Sequence, residues 1–137
     1  GIFVVMDNAS DMAEYALHLS DKIVDISANT RDLPTMDSRI SLHSGPIYES
    51  IDPFRNQNNF YGGHINRAAR LEPVTVAGQV YSTEQFMALL TAEQSSKKVE
   101  LNQKGLPFLE KFTCEYVGMV SLAKGFGVQP VYHLRWI

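Results

Sequence analysis

Asn66 and Arg70 stand four residues apart in Tyr61-Gly-Gly-His-Ile-Asn-Arg-Ala-Ala-Arg-Leu-Glu-Pro73, a stretch that reads as a short helix. Four residues turn a helix by about 400°, so the two side chains leave nearly the same face, roughly 6 Å apart along the axis. An amide and a guanidinium aimed together suit a phosphate or a ribose. The Arg presents a planar, permanently charged fork to anionic oxygens, while the Asn donates and accepts at once. Such a pair on a surface helix is ordinarily just solvated. Here Ile65, Ala68, Ala69 and Leu71 leave one face able to pack, which confines the polar pair to a defined strip. Gly62 and Gly63 give the helix a permissive entry and Pro73 a stop.

Lys124 is the second residue with a chemical use. It stands in Leu122-Ala-Lys-Gly-Phe-Gly127, where glycines leave the backbone free to approach a ligand and the ammonium can reach a phosphate as a point charge. By itself, a lysine in a hairpin turn is more often a solubility feature.

The other ionisable groups point to no chemistry. His18, His43, His64 and His133 show no pairing with Cys or with one another at zinc-ligand spacing, so a metal site built from this chain alone is not expected. Asp7, Asp11, Asp21, Asp25, Asp32, Asp37 and Asp52 fall on caps, helix faces and loops, where carboxylates are solvated. No Ser, His and Asp arrangement and no Walker-type Gly-Lys-Ser supports a hydrolase or a P-loop reading. Cys114, beside Phe112, Tyr116 and Val117, reads as a buried structural thiol; as the one cysteine it permits no internal disulfide.

Composition bounds the class. With 137 residues, 45% hydrophobic and 20% charged, the chain suits one soluble globular domain with a real core. A net charge of -3 argues against a general nucleic-acid binder, which needs surplus Lys and Arg. No apolar run approaches the roughly 20 residues that span a bilayer, and no export signal opens the chain, so no membrane contact is expected.

The elements that must position these residues follow from periodicity. Ile2-Phe-Val-Val-Met6 reads as a buried strand that begins without a lead-in, which suggests a chain cut inside a domain. Capping residues at Asn8-Ala-Ser-Asp precede a long amphipathic helix ending near Asn29, and Thr30 to Ser38 is a connector. Arg39 to Ile47 alternates as a strand, and Tyr48 to Asn59 reads as a polar loop. After the short helix, Gly78 to Tyr81 is a strand, and Ser82-Thr83 caps a helix through about Ala92. Residues 93 to 110 read as a mobile insertion, and two strands, Lys111 to Val120 and Val128 to Trp136, close the chain as an antiparallel hairpin. The class is α+β, a sheet with helices packed on it.

Several separated segments resemble the class III nucleotidyl cyclase catalytic domain, in its bacterial type. Arg39-Ile-Ser-Leu-His-Ser-Gly-Pro resembles its central strand, Tyr61 to Glu72 its signature helix, and Gly78-Gln-Val-Tyr-Ser its next strand. Cys114-Glu-Tyr-Val-Gly through Gly127, then Pro130-Val-Tyr-His-Leu, resembles its closing hairpin. The resemblance runs in order across nearly the whole chain. It implies a ferredoxin-like, mixed and mostly antiparallel fold, here N-terminally truncated, with residues 1–137 forming a partial, C-terminal portion of the catalytic domain.

The resemblance also implies roles. Asn66 would orient the ribose, Arg70 would steady charge on the phosphoryl group in the transition state, and Lys124 would contact the triphosphate. Asn59, seven residues before Asn66, falls where the family reads the base, commonly with Asp in adenylyl cyclases. An amide can serve either purine edge, so ATP is favoured on family frequency and GTP stays open. Arg67 matches no required family position. The implied reaction is attack of the ribose 3'-hydroxyl on the α-phosphate with loss of pyrophosphate, assisted by two Mg²⁺ or Mn²⁺ ions. The family's two metal-binding Asp residues have no counterpart here, so the chain by itself is expected to be inactive. A homodimer with shared active sites is implied, in the cytoplasm where triphosphates are found. Two alternatives stand beside the enzyme: a cyclase-like module that has lost turnover and serves dimerisation or nucleotide sensing, and a ferredoxin-like domain of unrelated purpose.

Overall fold

The computed structural model describes residues 1–137 throughout. Its elements in chain order are α1 (Ala9–Asn29), β1 (Ile40–Leu42), β2 (Tyr48–Asp52), β3 (Gln57–Tyr61), α2 (Gly63–Leu71), β4 (Val80–Thr83), α3 (Glu84–Gln103), β5 (Phe112–Ser121) and β6 (Val128–Trp136). Four strands form one sheet in the order β1-β4-β6-β5. β1 and β4 run parallel; β4 with β6, and β6 with β5, run antiparallel. β2 and β3 form a separate hairpin. This is the α+β architecture with a mostly antiparallel sheet that the sequence implies.

Strand alternation divides the apolar residues between two faces. On one face Val80 and Leu134 pack with Leu42 against Ala9, Ala13, Ala16 and Leu17 of α1 and Phe86, Met87 and Leu90 of α3. On the other, Tyr81 and Val131 pack with Leu71, the last residue of α2, and with Leu122, just beyond β5. The second cluster is small, and it matters for the site: one apolar contact fixes both the end of α2 and the start of the Lys124 turn.

The two long helices have identifiable starts. Asn8 Oδ1 accepts from the Asp11 N–H at 2.8 Å, and Glu93 reaches over from α3 to accept from Ala9 N–H at 2.8 Å and Ser10 N–H at 2.9 Å. These bonds satisfy donors that a helix N-terminus leaves free and tie α1 to α3. Thr83 Oγ1 caps α3 by accepting from Phe86 N–H. No helix is long and apolar enough to cross a membrane.

Four local expectations are corrected. Ile2 to Met6 forms no strand, and Ile2, Phe3 and Val4 are exposed: a strand exists only where another backbone pairs with it, and none lies alongside. The expected loop from Tyr48 to Asn59 is a hairpin, turned by Asp52, whose carboxylate accepts from Phe54 N–H and Arg55 N–H, and by Asn56 in the left-handed region at φ 52°. The expected mobile insertion after Ala92 is helical as far as Gln103. Its Glu, Gln, Ser and Lys residues hold helix on a solvent face, and Glu100 pairs with Lys97 and Lys104 one turn away on either side. Cys114 is exposed on β5, with burial of part of its surface pushing the thiol's pKa up.

Candidate functional site

α2 carries the polar pair. It is nine residues long, about 13 Å from end to end. Gly62 precedes it with φ 142°, a conformation only glycine adopts readily, and the chain leaves through a 3₁₀ turn at Glu72–Val74 that holds Pro73. Leu71 is fully buried, and its neighbour Arg70 is half-buried.

Arg70 and the Lys124 turn meet. The Arg70 guanidinium carbon lies 5.7 Å from the centre of the Phe126 ring, two residues beyond Lys124. Arg70 Nε is buried with no hydrogen-bond partner, so an unused donor sits in the planar fork. Lys124 itself has φ 55°, a left-handed conformation held between Leu122 in the core and the Leu122 N–H to Gly127 carbonyl bond of 2.8 Å. Its ammonium is exposed, and the chain's ion pairs engage Lys97, Lys104, Lys111 and Arg135, leaving Lys124 free. The Arg70 guanidinium and the turn that carries Lys124 are therefore brought together by one aromatic ring and one buried cluster.

Asn66 is exposed one turn before Arg70 on the same helix. Asn59 is exposed on β3, opposite Ser50 and two residues from Tyr61, which pairs with Tyr48 across the hairpin. Period-two alternation puts Asn59, Tyr61, Ser50 and Tyr48 on the same face of that hairpin. The structure thus sets Arg70 against Phe126 of the turn that carries Lys124, keeps Asn66 one helical turn from Arg70 on α2, and holds Asn59 apart on the hairpin that leads into the helix.

A cleft of about 1100 Å³ lies elsewhere, beside β1, walled by Met12 and Ala16, Ile40 and Leu42, and Ile65 and Ala68. None of the four predicted residues lines it. Its apolar walls suit packing rather than a polyphosphate, so the candidate site is the α2 and Lys124 surface.

Sequence reasoning missed three residues. Phe126 gave no signal beyond its place between glycines, because its use depends on where α2 falls. His43 and His64 looked unconnected in sequence, yet His43 Nε2 lies 2.8 Å from His64 Nδ1. The His43 pKa is depressed to about 4, by burial first and then by the charges of His64 and Arg67. Burial also lowers that of His133, whose ring meets Tyr81 edge-on.

Nowhere do three or more His, Cys, Asp or Glu side chains converge. The residues present therefore do not compose a site for the two divalent ions that the resemblance implies.

In comparison with known proteins, residues 3–119 match the family described as adenylate and guanylate cyclase catalytic domain. Lys124 lies beyond the matched residues. No curated protein matches the chain in sequence. Among solved structures, it is similar to the non-canonical dimeric guanylyl cyclase domain of the RhoGC fusion protein from the aquatic fungus Blastocladiella emersonii, with a TM-score of 0.68 and 20% identity over 97% of this chain and 61% of that one. It is similar to the guanylate cyclase domain of RhGC from Catenaria anguillulae in complex with GTP, with a TM-score of 0.62 and 19% identity over 92% of this chain and 60% of that one. An adenylate cyclase structure from Trypanosoma brucei gives a TM-score of 0.50 and 25% identity, over 67% of this chain and 33% of that one. The chain spans about 60% of the length of these two guanylate cyclase domains.

Proposed function

This chain belongs to the adenylate and guanylate cyclase catalytic domain family, and we propose that it forms the nucleotide-gripping part of an adenylate cyclase. The observation that carries the reading is the meeting of Arg70 with the Lys124 turn over Phe126, one helical turn beyond Asn66.

The reading assigns each residue a place along α2. Asn59 lies at the hairpin before the helix, Asn66 within it, and Arg70 beside Lys124 at its end. Base, ribose and phosphates of one nucleotide lie in that order, and α2 is about as long as they are. Asn66 orients the ribose so that its 3'-hydroxyl faces the α-phosphorus. As the new P–O bond forms and pyrophosphate leaves, charge grows on the phosphoryl oxygens, and the Arg70 fork answers it. Lys124 holds the outer phosphates. Because the Arg70 contact strengthens only as charge develops, its removal acts on kcat more than on KM. Asn59 offers a donor and an acceptor to the base; ATP is the proposed substrate and GTP the competitor. The same reading makes the working unit a homodimer with shared sites in the cytoplasm.

The test is cyclic nucleotide production, with Mg²⁺ or Mn²⁺, by the protein that carries this chain, comparing ATP with GTP. Arg70→Ala is expected to lower kcat about 10²- to 10³-fold with a small change in KM. A near-normal kcat in that variant rejects the role. Tight triphosphate binding with no product in any condition identifies a nucleotide-sensing module instead.

A further inference from the structure

His43 follows β1 directly, and His64 is the second residue of α2. Their rings meet edge to edge, with centres 5.1 Å apart and planes 25° from parallel, and His43 Nε2 is 2.8 Å from His64 Nδ1. The other nitrogen of His43 is 2.8 Å from Thr83 Oγ1, the atom that caps α3. A continuous polar path therefore runs from the start of α3, through the end of β4, to the first turn of α2.

That path has a proton count. A hydrogen bond between two imidazole nitrogens needs one N–H and one lone pair. Two neutral rings satisfy it, and so do one neutral ring and one cation. Two cations place N–H against N–H, which removes the bond and sets like charges in contact. The surroundings oppose the second proton. His64 and Arg67, both on α2, are the charges that act on His43; Thr83 from β4 is uncharged. Asp7, Arg39, Glu49 and Glu72 are the other charged residues that border the cleft reaching both rings.

The contact is also tightly built. A Cβ placed on Gly45 would overlap the His64 ring, so the chain after β1 presses its bare backbone on that ring. A turn and more along α2, Ser41 Oγ donates to the Ala68 carbonyl at 2.8 Å. α2 is thus held to the sheet at separate points: the histidine pair near its start, Ser41 in its middle and buried Leu71 at its end.

We propose that the His43–His64 pair is a one-proton clasp that positions the first turn of α2 on the sheet and opens when both rings carry a proton. The clasp follows from this chain's own contacts and holds whether or not the protein turns over nucleotide. Its consequence for Asn66, two residues beyond His64, rests on the proposed function: an open clasp lets the ribose-orienting amide drift while Arg70, anchored beside Leu71, stays in place.

The test follows the imidazole nitrogens by long-range ¹H–¹⁵N NMR from pH 8 to pH 3.5, with amide exchange protection along α2 measured in parallel. We expect the pair to take up protons in two separated steps, with protection at Ile65 to Arg67 falling at least tenfold at the second step while Leu71 keeps its protection. His64→Ala is expected to lower first-turn protection at least tenfold at pH 7. His64→Asn puts an amide where Nδ1 was; it restores that protection and removes its acid dependence. Gly45→Ala displaces the His64 ring without altering a titratable group and is expected to mimic His64→Ala. Unchanged shifts at Val80 and Leu134 show that a variant is folded. If His64→Ala does not fold, the wild-type titration and His64→Asn decide. Independent single-step titration of the two rings, or first-turn protection indifferent to both proton uptake and His64→Asn, overturns the proposal.

Discussion

Arg70 shows how a single side chain is fixed in place by what lies beneath it. A free arginine samples many rotamers, whereas this one has its guanidinium over Phe126 and its Nε buried. A ring under a cation at this distance contributes about 0.5 to 1 kcal/mol at a partly exposed site. Phe126→Ala is therefore expected to weaken the hold on Arg70 and lower kcat by a smaller factor than Arg70→Ala, with overall stability nearly unchanged by thermal melting. An effect equal to that of Arg70→Ala would mean that Phe126 touches the nucleotide itself. His43 gives the residue-scale dependence on pH. Its folded pKa, about 4, lies below the 6.5 of an unperturbed ring, because burial and the charges of His64 and Arg67 disfavour the imidazolium. Between pH 6.5 and pH 4 the unfolded chain binds more protons than the folded one, so stability falls as the pH falls through that window and is level above it. The ring is half-buried and partly screened, which reduces the contribution to about 1 to 2 kcal/mol. Urea unfolding at pH 7, 5.5 and 4.5 reads the slope, and His43→Gln is expected to flatten it.

At the scale of elements, α2 is held by its end. Leu71 is completely buried with Tyr81, Leu122 and Val131, and the same cluster roots the Lys124 turn. Leu71→Ala is expected to cost about 2 to 5 kcal/mol by leaving a cavity under both. It is also expected to reduce triphosphate affinity without touching a polar group, as read by calorimetric titration alongside denaturant unfolding. A loss of stability with unchanged affinity would show that helix and turn keep their spacing without the shared core. The helix itself was legible from Gly62, Gly63 and Pro73 and from the packing strip that includes Leu71. The hairpin of β2 and β3 was not, since Asn58, Asn59 and Gln57 carry weak strand preference and pair only because the Asp52 to Asn56 turn brings two exposed segments into register. The length of α3 was missed for the opposite reason: its second half has no apolar stripe to announce a helix, and its residues are helix formers held by Lys97, Glu100 and Lys104.

Across the whole molecule, one sheet separates two apolar clusters. The face under α1 and α3 holds the larger core, and the opposite face carries α2 and the Lys124 turn. The larger core and the proposed site are thereby placed on different sides of the same strands, with β4 and β6 contributing alternate residues to each. If the working unit shares its sites between two copies, sedimentation of the active protein is expected to show a two-chain species whose population rises with concentration in step with specific activity. Full specific activity in a protein that sediments as a single chain at every concentration would remove the dimer from the reading.

The sequence by itself determined the class of fold, the presence of α2 with Asn66 and Arg70 on one strip, and the closing hairpin with its glycine turn, because each rests on periodicity or turn chemistry within a few residues. Only the tertiary structure decided which distant residues meet. That Phe126 lies beneath Arg70, that His43 bonds His64 across 21 positions, and that Ile2 to Met6 finds no strand to pair with all depend on packing between elements far apart in the chain. Hydrogen-bond partners and buried neighbours of that kind exist only once the sheet has brought the elements together, and no local pattern of residues encodes them.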